Sequence, residues 1–158
     1  MLWHKETSIE NTNLIVLPGG FSHGDYLRSG SIASRAPIMK EVIKLANNGT
    51  PVIGICNGFQ ILCEAGLLPG ILLPNSHTEY RCVATNLVTL RTDTSFTELC
   101  RPDQVLQIPV SHGEGNFQVD SKTLNDIENS GKVVFRYCDT NGNIDEDSNP
   151  NGSITLVI

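Results

Sequence analysis

The sequence has no long hydrophobic run. Leu67 to Pro74, one of its more apolar neighbourhoods, is broken by Pro69 and Gly70, so no stretch approaches the length of a membrane span. It has no Cys-x-x-Cys pair, and its cysteines (Cys56, Cys63, Cys82, Cys100, Cys138) are odd in number. Neither a disulfide framework nor a structural zinc site is expected, and a reducing cytoplasm is the expected setting. Positive charge is also short: 11 Lys and Arg stand scattered against 17 Asp and Glu, a formal net charge of −6. Nothing in that balance suggests a nucleic-acid or anionic-membrane surface. The opening Met1-Leu-Trp-His-Lys-Glu has no signal-peptide pattern. Repeats, low-complexity tracts and interdomain linkers are lacking too. A hydrophobic share of 39% in 158 residues is enough for a sizeable core, so residues 1–158 are expected to form a single domain.

What is present centres on Pro51-Val-Ile-Gly-Ile-Cys56-Asn57-Gly58-Phe59-Gln60-Ile-Leu. The β-branched residues from Val52 to Ile55 predict a buried parallel strand. Asn57-Gly58 breaks it, and Phe59, Ile61, Leu62 and Ala65 recur at helical spacing until Gly66. Cys56 thus falls at a strand-to-helix corner, where free backbone N–H groups and the positive end of a helix dipole favour the thiolate. Two readings fit such a cysteine: a nucleophile on an elbow, or a small buried thiol.

Upstream, Leu14 to Leu17 predicts a second buried strand that ends in Pro18-Gly19-Gly20. Ser22 to Ser31 has no period and reads as a loop or broken helix. A helix is expected from about Ser34 to Asn48, with Ile38, Val42, Ile43, Leu45 and Ala46 inward and Gly49 as its stop. The alternation of strand and helix argues for a parallel sheet with function at the carboxyl ends of its strands. Downstream, Leu67 to Asn75 reads as a turn region, and Tyr80 to Arg91 and Val105 to Pro109 as antiparallel strands. Ser111 to Phe117 reads as a glycine-bearing loop. A helix capped by Asp120 or Ser121 runs to about Ser130, Lys132 to Tyr137 is a strand, Asp139 to Gly152 an exposed loop, and Ser153 to Ile158 a last strand. Ending inside the apolar Leu156-Val-Ile is what a cut chain would show.

A cysteine nucleophile needs an oxyanion hole, a base and substrate contacts. The backbone amides of Gly20 and Asn57 supply the first if the two strand ends are neighbours. For the base, His112 lies two residues from Glu114, a spacing that turns both side chains the same way on an extended segment. A solvated loop histidine fits as well, and His4, His23 and His77 are weaker candidates. Asp139, Asp145, Glu146 and Asp147 imitate a calcium loop, but Gly142 comes too early and the closing glutamate is misplaced, so a solvated loop is expected.

Gly54-Ile-Cys56-Asn57-Gly58-Phe59-Gln60 resembles the nucleophile motif of class I, triad-type glutamine amidotransferases. Leu17-Pro-Gly19-Gly20-Phe-Ser-His-Gly24-Asp25-Tyr-Leu-Arg28, Pro109-Val-Ser-His112-Gly113-Glu114-Gly115-Asn116 and Val134-Phe-Arg136-Tyr137-Cys-Asp139 narrow the resemblance to the glutaminase subunits of phosphoribosylformylglycinamidine synthases of the small-subunit type. It covers nearly the whole chain. It implies a flavodoxin-like α/β fold, a mostly parallel sheet with flanking helices, and hydrolysis of the glutamine side-chain amide. The ammonia passes to an ATP-dependent synthase subunit in purine synthesis. The implied partners are glutamine, the large synthase subunit and a small accessory subunit, with neither nucleic acid nor membrane. No cofactor is expected in this subunit, ATP and magnesium being used by the synthase, and no metal site is expected.

By the same resemblance, Cys56 is the nucleophile that forms the glutamyl thioester, and Gly20 and Asn57 give the oxyanion-hole amides. Gln60 lies near bound glutamine, and Ser111, His112, Gly113 and Glu114 hold the substrate's amino-acid end. The family's triad histidine and glutamate sit on a later His-Pro-Glu segment that this sequence does not contain, and a first strand expected before Leu2 is also missing. Little glutaminase activity, exposed apolar surface and poor solubility are therefore expected of the chain by itself. A non-catalytic scaffold that binds the synthase, and a Cys-dependent hydrolase or chaperone-like protein with the same general fold, are the competing readings.

Overall fold

The computed structural model describes residues 1–154. The chain falls into two compact units, Met1–Leu72 and Leu73–Ile158.

In the first unit, strand β1 (Ile15–Leu17) pairs in parallel with β2 (Val52–Gly54), with Leu17 opposite Gly54. Helix α1 (Pro37–Asn47) is the crossover between them, and α2 (Asn57–Glu64) follows β2. The sequence places the start of α1 at Ser34, but Ala33–Arg35 forms a separate 3₁₀ turn. Pro37 explains the break. A residue before proline is pushed out of the helical region, and Ala36 sits at φ −59°, ψ 147°. Proline itself is well suited to the first helical position. Ser22–Asp25 forms another 3₁₀ turn in the stretch expected to be a loop or broken helix, with His23, Gly24 and Asp25 at positive φ. The core of this unit is Ile15, Ala33, Met39, Val42 and Ile61, with Ile38 and Leu45 packed against it. Met39, absent from the expected inner face, is buried on the same side of α1 as Val42, three residues on.

The strands of this unit are less buried than their apolar runs imply. Leu14 and Val16 are each 48% exposed, and Ile55 is 52% exposed. A parallel strand rich in apolar side chains needs cover on both faces. Among the described residues, β1 pairs only with β2. An apolar cleft of about 790 Å³ opens beside β1, lined by Trp3, Leu14, Val16, Leu17, Met39 and Ile61.

The chain passes from the first unit to the second along β3 (Ile71–Leu73), in a region that reads as a turn. The second unit is built on an antiparallel sheet, β5-β4-β7, from β4 (Arg81–Thr89), β5 (Val105–His112) and β7 (Phe135–Cys138). β5 runs farther than its apolar stretch, because pairing with β4 continues to Cys82 opposite Ser111 and Arg81 opposite His112. Ser111 and His112 are therefore strand residues. Pro109 is tolerated because β5 is an edge strand of this sheet. A short strand, β6 (Asn116–Gln118), follows where a loop is expected, with Phe117 2% exposed. Asp120 caps α3 (Ser121–Asn129), accepting hydrogen bonds from the Lys122 and Thr123 amides at 3.0 Å each. Ile127 of α3 packs with Val133, Leu124 and Ile154. Most of the strand expected over Ser153–Ile158 lies outside the described residues.

Candidate active site

The corner after β2 is built by glycine. A Cβ on Gly54 would lie 2.6 Å from Leu62 Cδ1 and 2.7 Å from the Gly58 carbonyl carbon. A Cβ on Gly58 would collide with the Leu17 carbonyl oxygen. Only glycine at 54 and 58 lets α2 start so close to the two strands. Between them Cys56 takes φ 52°, ψ −110°, a backbone region that side-chain-bearing residues rarely occupy. The strain comes from reversing a strand into a helix within one residue. It leaves Cys56 exposed at the head of α2. Ile55 N donates to Leu17 O at 2.9 Å, continuing the β1–β2 pairing to the corner. That pairing brings the Gly19-Gly20 turn against the cysteine, so that a Cβ on Gly19 would be 3.3 Å from Cys56 Cβ. The two strand ends are neighbours, the condition under which the Gly20 and Asn57 amides can share one oxyanion.

Asn57 is 2% exposed and Gln60 8%. Their side chains meet, Asn57 Nδ2 donating to Gln60 Oε1 at 2.8 Å. Asn57 also holds the loop after β1: its Oδ1 accepts from Ser22 N at 3.3 Å and from the Ser22 hydroxyl, and Nδ2 reaches Asp25 Oδ2 at 3.5 Å. Asp25 in turn accepts from Gly30 N at 3.1 Å. A Cβ on Gly30 would lie 2.7 Å from Ile61 N, so the loop lies directly on α2. Arg28 closes it with a forked ion pair to Glu64, at 2.5 and 2.9 Å. Ser22 and Asp25 are thus organising residues of the corner. Both lie in the Leu17–Arg28 motif, but the sequence gives them no role, since their partner Asn57 lies more than 30 residues away.

In the second unit, Ser111 and His112 end β5, and Gly113 and Glu114 follow. The Ser111 hydroxyl lies 2.7 Å from Tyr80 OH. His112 does not have the free ring a general base needs. Its Nδ1 is 3.1 Å from Asn75 Oδ1 and its Nε2 3.3 Å from Asn151 Nδ2. Burial pushes its pKa below the ordinary value, and the nearby His77 adds to the shift. Asn75 and Asn151 are 1% and 0% exposed. His77, expected on the surface, is half-buried and bonded to the Pro150 carbonyl at 3.0 Å. His4 and His23 stack edge to face with ring centres 5.3 Å apart in the first unit.

Burial separates the thiols. Cys63, on the inner side of α2, is pushed up to about 12 by burial, with Glu64 adding to it, so it stays a thiol at neutral pH. Burial also raises Cys138. The acidic loop folds on itself, Asp139 accepting from the Asn141 and Asn143 amides at 2.8 Å each. No cluster of three or more His, Cys, Asp or Glu suited to a metal occurs among the described residues. No helix among them is long and apolar enough to cross a membrane.

A family model described as a CobB/CobQ-like glutamine amidotransferase domain matches residues 1–157. The phosphoribosylformylglycinamidine synthase subunit PurQ of Rhodopseudomonas palustris is 49% identical over 158 residues, covering 99% of this chain and 68% of its own length. The protein of the same name from Moorella thermoacetica is 50% identical over 153 residues, covering 97% of this chain and 65% of its own length. Among solved structures, that of PurLQS from Thermotoga maritima superposes with a TM-score of 0.77 at 38% identity, covering 94% of this chain and 62% of that one. The chain therefore spans about two thirds of the length of these relatives. The glycine-cradled corner, the α/β architecture and these matches agree: the chain belongs to the CobB/CobQ-like glutamine amidotransferase family, has the α/β fold of class I amidotransferases, and is similar to the PurQ subunits of phosphoribosylformylglycinamidine synthase.

Proposed function

We propose that this chain is glutaminase machinery of a phosphoribosylformylglycinamidine synthase. The observation that carries the reading is Cys56, an exposed cysteine held at φ 52°, ψ −110° between two glycines that admit no side chain. Strain of about 1–3 kcal/mol persists at a residue where the surrounding structure enforces it, and it clusters at reactive sites. In the proposed reaction Cys56 Sγ attacks the side-chain amide carbon of glutamine. The carbonyl oxygen becomes an oxyanion received by the Gly20 and Asn57 amides. Collapse breaks the C–N bond and expels ammonia, its nitrogen taking up the proton that the Cys56 thiol gave up, and water then hydrolyses the thioester to glutamate and returns a proton to the cysteine. Gln60 lies near the bound glutamine, and Ser111, His112, Gly113 and Glu114 form the segment for its amino-acid end. The ammonia goes to a synthase partner that uses ATP and magnesium, with a small accessory subunit in the same complex. This chain uses no cofactor of its own. That one family model spans both units supports treating residues 1–158 as one amidotransferase domain.

The sequence contains no His-Pro-Glu segment, and the His112 ring is engaged elsewhere. General acid–base help contributes roughly 10²- to 10⁴-fold. Slow turnover by the chain alone is the corresponding expectation. The test is twofold: ammonia release from glutamine, and covalent labelling by a glutamine-analogue electrophile. Weak turnover with stoichiometric labelling at Cys56, blocked by glutamine, supports the reading. Absence of labelling at Cys56 favours a scaffold, and turnover equal to that of a full-length relative removes the expectation of a missing base.

A further inference from the structure

Two buried asparagines fix the protonation state of His112. Asn75 Nδ2 donates to the carbonyls of Glu79 and His112 at 2.8 and 3.0 Å, while its Oδ1 accepts from the Gly115 amide at 3.0 Å. Turning this amide over would set a donor against each donor and an acceptor against each acceptor, so its orientation is fixed. Facing Asn75 Oδ1, His112 Nδ1 must therefore carry hydrogen. Asn151 Oδ1 accepts from the Ser153 amide at 3.0 Å and the Ser153 hydroxyl at 2.6 Å. Its Nδ2 is thereby turned to His112 Nε2 and, at 3.4 Å, to Tyr137 OH. Facing an N–H donor, His112 Nε2 must be a bare lone pair.

We infer that His112 is a positioning residue, held as the neutral Nδ1–H tautomer, which sets the Ser111–Glu114 segment for the amino-acid end of glutamine; the substrate half of this statement rests on the glutaminase reading above. The ring joins three stretches of the second unit. It takes hold of the turn at Asn75, whose amide donates to Gly113 O at 2.9 Å, and of the Asn149–Gly152 stretch, where Asn151 O accepts from Ser76 N at 3.0 Å. It also fills the space a Cβ on Gly115 would need, 2.5 Å from its Nδ1. Both ring nitrogens are committed, so contacts with substrate fall to its neighbours in the segment.

A second proton on the ring would place Nε2–H against the Asn151 NH₂. Escape by turning Asn151 would set that NH₂ against the Ser153 amide. The ionisable residues next to this arrangement are His77, Arg81 opposite His112 across the β4–β5 pair, Glu79, whose carbonyl accepts from Asn75, Glu114 two residues on, and Tyr137, whose hydroxyl accepts from Asn151. Acid therefore breaks the arrangement at one identifiable hydrogen bond.

The chain with ¹⁵N-labelled histidine carries the test, its four rings assigned by single substitutions. A persistent neutral Nδ1–H signature for His112 at pH 7 is expected; an Nε2–H ring, or one averaging between tautomers, overturns the inference. Hydrogen exchange at the Gly115 and Ser153 amides gives a second readout. H112F should speed it about tenfold, the equivalent of one lost hydrogen bond, and H112Q, which keeps an acceptor toward Asn151, should restore protection at Ser153. Exchange unchanged in H112F overturns the inference. If H112F does not fold, the wild-type acid titration and H112Q carry the test: protection that persists after the ring protonates is equally fatal. Glutamine titrated onto the labelled chain separates the two claims. Weaker binding in H112F with recovery in H112Q is expected. Equal binding in wild type and H112F removes the positioning role and leaves the glutaminase reading intact; no binding to wild type removes that reading, while tautomer and exchange still report on the ring.

Discussion

The two units solve the same problem, holding a loop in one shape, with different chemistry. In Met1–Leu72 the Asn57 hydrogen bonds are joined by proximity: glycines at 54, 58 and 30 let backbone press on backbone, and the strain collects at Cys56. In Leu73–Ile158 the means is polar pairing: the half-buried His112 ring joins the buried Asn75 and Asn151, and Asn151 bonds Ser153. The difference teaches where each is vulnerable. A close-packed corner fails through volume, a polar network through a single orphaned group.

The sharpest way to test that contrast is thiol reactivity within the first unit. With its pKa pushed up to about 12, Cys63 has a thiolate fraction at pH 8 roughly 10³-fold below that of an ordinary exposed cysteine. Iodoacetamide followed by peptide mapping should therefore modify Cys56 and Cys82 long before Cys63. Equal rates would mean that α2 opens freely and that the corner is not rigid. The same burial has a pH consequence. A folded-state pKa raised above the unfolded value stabilises the fold below about pH 8.5, and that contribution drains away as pH climbs toward 12. C63A should flatten the alkaline limb of a stability profile.

Volume comes next. Gly58→Ala forces a methyl group onto the Leu17 carbonyl, and because neither backbone can retreat we expect about 3 kcal/mol of destabilisation or more, read by denaturant midpoint. In the second unit, Asn75→Ala strands the Gly115 amide, the Glu79 and His112 carbonyls and His112 Nδ1 at once. About 2–3 kcal/mol should be lost, with exchange rising in 73–154 while 1–72 holds its protection. A uniform rise in both would show that the contrast between units is false. The acid limb separates them again. The pKa of His112 is lowered, so its contribution is present above the ordinary histidine range and lost as pH falls through the folded value. Local protection around Gly115 and Ser153 should fade before that of α1. The smallest effect carries the opposite sign: Cys56→Gly relieves a positive φ and should stabilise the chain by about 1 kcal/mol.

Local patterns made much of this fold legible in the sequence. The β-branched run into Cys56-Asn57-Gly58 announces a strand, a corner and a helix, and the structure has all three within a residue or two. Asp120 as a cap and the antiparallel pairing of β4 with β5 are legible for the same reason. β3 and β6 are not, because three residues are too few to show a period. The extension of β5 through Ser111 and His112 is set by its partner strand, which no local window contains. The bonds of Asn57 to Ser22 and of His112 to Asn75 and Asn151 join residues 35, 37 and 39 apart in sequence. Asparagine, serine and histidine in presumed loops give no hint of such partners.

One feature of the corner reaches beyond this chain. The backbone at position 56 favours glycine, yet a cysteine occupies it. On the proposed glutaminase reading, the thiol is kept there against the preference of the backbone itself. On the same reading, a lineage that no longer draws ammonia from this site would be free to drift to glycine at 56 while 54 and 58 stay fixed by steric necessity. A glycine at the centre of this motif in another genome would then be the fossil of an abandoned chemistry.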